Sequence, residues 1–136
     1  MGEIKFENLD EKVEFKILKA YQSDEFDRGY YFISQLLLSK ENINIKIEEI
    51  ELNLDFFIKW NRSLFKFKNK IELSSLDGKF QLLIERSFKR TLIKLIYNEL
   101  DFEEIICLEL QLDQSKIRDL KNQLHNFITI YGRKNK

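Results

Sequence analysis

The chain has 136 residues, 43% of them hydrophobic, and its 23 Lys and Arg are matched by 23 Asp and Glu. That balance excludes a protein that grips long phosphate backbones through a bulk surplus of cations, while leaving room for a local patch. A single cysteine, Cys107, excludes an internal disulfide, and no apolar run approaches the roughly 20 residues needed to span a bilayer.

The length fits one domain, residues 1–136. The first residues, MGEIKFENLDEK, are acidic and lack a signal-peptide core, so a cytoplasmic protein without a membrane partner is expected. Ile4 to Asn8 reads as a short edge strand. Val13 to Tyr21 is firmer, with Val13, Phe15 and Ile17 opposite Glu14, Lys16 and Leu18. A polar loop ends at Gly29, and Tyr30 to Leu38 is apolar enough near its end to be central. Ile43, Ile45 and Ile47 alternate with Asn44, Lys46 and Glu48, the pattern of a half-buried antiparallel strand.

Asn53 suits the N-cap of a helix from Leu54 to about Phe67, with Phe56, Phe57, Trp60 and Leu64 on its apolar side. Ile71 to Leu76 and Lys79 to Glu85 flank Asp77-Gly78, which predicts a hairpin with a two-residue type I′ turn. Thr91 to Tyr97 alternates again. Ile106, Leu108, Leu110 and Leu112 share one face of a last strand, and at Asp113 the period changes from two to helical. Ile117, Leu120, Leu124, Phe127 and Ile128 then form an apolar stripe, with Asp113 as N-cap. The whole predicts an α+β fold: an antiparallel sheet of about seven strands, one helix inserted between strands, and an amphipathic C-terminal helix packed on the sheet.

Catalytic chemistry finds little to work with. His125 lies on the rim of the last helix without a motif around it, and Cys107 sits mid-strand without an obvious base. One His and one Cys cannot make the usual zinc site, and Asp24, Glu25 and Asp27 miss the calcium-loop register. No catalytic residue, metal or cofactor is therefore assigned. Lys59-Trp60-Asn61-Arg62 and Lys66-Phe67-Lys68 interleave cations with aromatics, as nucleic-acid contacts do. At helical spacing the same residues also read as core aromatics with lysines on the solvent side, and that meaning is preferred.

Leu108 to Leu124, LELQLDQSKIRDLKNQL, resembles the end of the WapI family of bacterial immunity proteins, with its apolar strand, Asp-Gln pair (Asp113-Gln114) and amphipathic helix. The strand ending Tyr21-Gln22 and the loop Asp27-Arg28-Gly29-Tyr30-Tyr31 add to the resemblance. It implies a non-catalytic cytoplasmic protein that binds and neutralises a cognate toxin C-terminal domain by occlusion and does not bind nucleic acid. Acidic and aromatic residues are the expected toxin-binding positions: Asp24, Glu25, Asp27, Tyr30 and Tyr31 in one place, Asp101, Glu103 and Glu104 in another. The alternative is a small-molecule or carbohydrate-binding module, which requires a closed apolar pocket.

Overall fold

The computed structural model describes residues 2–22, 29–66, 69–87, 90–99 and 104–134. In chain order these form β1 (Glu3–Glu7), β2 (Glu11–Gln22), β3 (Tyr30–Lys40), β4 (Ile43–Asn53), α1 (Leu54–Ser63), β5 (Asn69–Ser74), β6 (Phe80–Ser87), β7 (Arg90–Glu99), β8 (Glu104–Leu112) and α2 (Gln114–Lys134). The fold is α+β, but the strands do not make one sheet of seven. They make two antiparallel sheets of four, β1-β2-β3-β4 and β5-β6-β7-β8. Alternation identifies strands and their buried faces, and it carries no information on where one sheet stops. The break falls at α1, where β4 runs straight into a helix and cannot hairpin onto β5.

The two inner faces share one apolar core. In the first sheet Ile4, Phe6, Val13, Phe15, Phe32 and Leu36 are buried; in the second, Leu82, Ile84, Ile93, Leu95 and Leu110 are. Phe15 of β2 meets Phe80 of β6 edge-on at 5.8 Å, and Trp60 of α1 lies against Phe6 and Phe15 at 5.7 and 5.4 Å. Such edge-to-face pairs suit the ring quadrupoles and add to the burial of area. Phe127 of α2 completes the cluster, 5.0 Å from Phe32 and 4.6 Å from Phe57.

A bulge explains the changed phase of β4. Ser34 pairs with Ile50 and Leu36 with Ile47, so Glu48 and Glu49 together face the single residue Gln35. Ile47, Ile50 and Leu52 are thereby all buried, while Ile43 is left exposed. The β5–β6 hairpin is where Asp77-Gly78 placed it, but its turn is not type I′. Gly78 has φ +78° while Asp77 does not enter the left-handed region, and Gly78 N–H donates to Ser75 O. The Asp77 carboxylate accepts from Ser75 Oγ and Lys79 N–H, which holds a longer loop without a second positive φ.

Both caps are where the sequence put them. Asn53 Oδ1 accepts from Phe56 N–H at 2.9 Å, and Asp113 Oδ1 accepts from Lys116 N–H at 2.9 Å. α2 runs beside β1, the edge strand of the first sheet, and against α1, and its Phe127 and Tyr131 rings reach Phe32 of β3. No helix among the described residues is long and apolar enough to cross a membrane.

Candidate nucleic-acid interface

The cations of α1 recur at helical spacing. Lys59 and Arg62 stand on its solvent side, opposite the buried Phe56, Phe57 and Trp60, and the exposed Lys66 follows its end. Lys70, at the start of β5, extends the row. Lys59, Arg62, Lys66 and Lys70 together line an open groove of about 220 Å³ with Ser63, Asn69 and Ile71. Lys59 pairs with Asp55 at 2.9 Å. Among the described residues, Arg62, Lys66 and Lys70 have no carboxylate in ion-pair range, although Glu85 is the cross-strand partner of Lys70.

An aromatic ring stands beside this groove. α1 stops at Ser63 and tightens at its end, with Leu64 N–H donating to Asn61 O and Phe65 N–H to Arg62 O, both at 3.2 Å. Leu64 enters the core, so the next side chain, Phe65, points out and is 63% exposed. Lys121 of α2 reaches over the Phe65 ring, its Nζ 4.7 Å from the centroid. Beneath them, the buried Arg86 of β6 donates from Nη1 to the Leu64 carbonyl and from Nε to Thr91 Oγ1 at 3.1 Å. A guanidinium on the last carbonyls of α1 also meets the negative end of the helix dipole.

Positive charge gathers around Lys121. Burial holds the Lys121 ammonium below its usual pKa, and the neighbouring charges of Arg86 and Arg118 push the same way. Burial likewise lowers the Arg86 guanidinium, which stays charged all the same. An anion beside Lys121 would relieve that repulsion.

Residues singled out in the sequence fare differently. Trp60 is fully buried, as its spacing implied, while Lys59, Arg62 and Lys66 converge on the groove. Phe67 and Lys68 lie outside the described residues. Phe65, Lys70, Arg86, Arg118 and Lys121 were not singled out. The available signal was the adjacent apolar pair Leu64-Phe65 at a helix end, where only one of two neighbours can face the same core.

Asp24, Glu25, Asp27, Asp101 and Glu103 lie outside the described residues, and Glu104 opens β8 opposite Glu99. Tyr30 packs toward the core, 5.2 Å from Tyr131, whereas Tyr31 stands on the outer face of the first sheet, 6.1 Å from Tyr21. The two tyrosines therefore do not share a surface. His125 and Cys107 are exposed, on α2 and β8. Five concavities among the described residues are open and have charged walls, one of about 640 Å³ including Glu7, Asp10, Asp113 and Lys116. Among the described residues, these five are not the closed apolar pocket that a small-molecule module requires.

No family model matches the chain, and no curated protein matches it. Its layout is similar to that of WHY3 from Arabidopsis thaliana, with a TM-score of 0.59 over 94% of this chain and 86% of that one, at 7% identity. It is similar also to the plant transcriptional regulator PBF-2, with a TM-score of 0.56 over 95% of this chain and 79% of that one, at 12% identity. This overturns the immunity reading, with its cognate toxin partner and its exclusion of nucleic acid. The two-sheet layout is one that this chain has in common with a transcriptional regulator. What the likeness establishes for this chain is the fold.

Proposed function

We propose that this protein binds nucleic acid, acting by binding rather than turnover, and that the groove at the end of α1 meets the phosphate backbone. The observation that carries the reading is the convergence of Lys59, Arg62, Lys66 and Lys70 on one groove in a chain of zero net charge. Charge that is neutral overall and concentrated locally suits a short footprint of a few phosphates. The likeness of the whole layout to a transcriptional regulator supports the same class of partner. The chemistry is charge-assisted hydrogen bonding from one guanidinium and three ammonium groups, with release of counterions.

The test is fluorescence anisotropy of labelled DNA and RNA oligonucleotides, single-stranded and duplex, across a salt series. If all four cations meet phosphates of a single strand, the log–log slope against salt is about −3, at about 0.7 per phosphate. Arg62→Ala/Lys66→Ala is expected to weaken binding at every sequence and flatten that slope by about 1.4. Failure of the full chain to bind any of these oligonucleotides at low salt overturns the proposal.

A further inference from the structure

We infer that Phe65 is a stacking platform for an unpaired nucleobase, so that the corner selects single-stranded over duplex nucleic acid; this rests on the nucleic-acid reading above. Three observations meet here. Phe65 is a large aromatic that stays 63% exposed just past α1, whose own Phe56 and Phe57 are buried. Lys121 occupies one side of its ring at 4.7 Å, which fixes the ring and leaves a base the other side. Phe65 directly precedes Lys66, which lines the groove with Lys59, Arg62 and Lys70, so one strand can lay its phosphates in the groove and a base on the ring.

The chemistry of the ring sets the selectivity. In a duplex both faces of each base are covered by its neighbours, so an aromatic ring gains a stacking partner only from a base that has left its stack. Every base has a π-face, so the platform is tolerant of sequence. The competing platform is the Tyr21–Tyr31 pair on the outer face of the first sheet, where the rings lie 6.1 Å apart. On that face Glu51 and Lys19 flank Ile33 from either side, so the pair lacks the row of cations that adjoins Phe65.

The experiment uses the full chain with four ligands of equal length: an oligo-dT strand, a mixed-sequence strand, its duplex, and an abasic strand that keeps the phosphates and lacks the bases. Phe65→Ala is expected to lose on the order of tenfold or more toward the two base-bearing strands. Binding to the duplex and to the abasic strand is expected to be unchanged. Phe65→Tyr and Phe65→Trp should restore strand binding, and Phe65→Leu, which is apolar without a π-face, should not. The fluorescence of Trp60 checks that each variant except Phe65→Trp is folded, and circular dichroism serves for that one. Equal losses on all four ligands, or selectivity lost in Tyr31→Ala and kept in Phe65→Ala, overturn the inference. If the wild-type chain binds none of the four, the nucleic-acid reading itself falls; if it binds and Phe65→Ala matches it throughout, only the platform falls.

Discussion

Asp113 stands between β8 and α2 and closes the first turn of the helix with a carboxylate that accepts from Lys116 N–H and from Ser115 Oγ. The backbone bond from Lys116 is the main reason its carboxyl is held below the usual pKa, with Ser115 adding to it. A depressed carboxyl stabilises the folded state above the pKa it has in the unfolded chain, about 3.9, and that contribution is lost as pH falls through the folded value. Asp113→Asn keeps an acceptor at the cap and removes the titration. Its unfolding free energy, measured in urea from pH 7 to pH 2, is expected to fall less steeply at the acid end than that of the wild type. Parallel curves for the two proteins would show that this carboxyl does not titrate differently on folding.

Among the elements, α2 does a task that its apolar stripe did not announce. β1 is an edge strand, and Gln123 closes part of that edge: Lys5 N–H donates to its Oε1 and its Nε2 donates to Lys5 O, both at 2.8 Å. One side-chain amide thus imitates a neighbouring strand. Gln123→Ala is expected to cost about 1–2 kcal/mol by thermal or chemical denaturation, since two part-buried backbone groups lose their partner. Gln123→Glu keeps the acceptor and loses the donor, and should fall between the two. The sequence showed why α2 exists, because Ile117, Leu120, Leu124 and Phe127 repeat at helical spacing and all four are buried. It did not show where the helix lies, since Gln123 reads as one polar residue among several. The same limit governs the strands. The alternation in Leu108, Leu110 and Leu112 reveals a buried face, but the pairing partner of a strand is chosen by long-range packing. The candidate interface was half legible: the spacing of Lys59 and Arg62 placed them on one side of α1 with Lys66 just past its end, while Lys70, Arg86 and Lys121 arrive from other elements.

For the whole molecule, the sheets are separate in hydrogen bonding and joined in packing. Phe80 of β6 touches Phe15 of β2 and Phe56 of α1, so neither sheet has a finished core without the other. Unfolding in denaturant is therefore expected to be one transition, with Trp60 fluorescence and far-ultraviolet circular dichroism coincident. Phe80→Ala should lower its midpoint, by a loss on the order of 3–5 kcal/mol. Two separated transitions in the wild-type protein would show that the sheets fold independently. Arg86 belongs to this joint as well. From the second sheet it holds Leu64, the residue before Phe65, and its other nitrogen is fixed on Thr91. The end of α1 is thus anchored, before any ligand arrives, by an arginine that is itself held in place. A partner docking there meets a surface whose backbone is already ordered, so association forfeits little chain entropy at this corner and more of the contact energy survives as affinity.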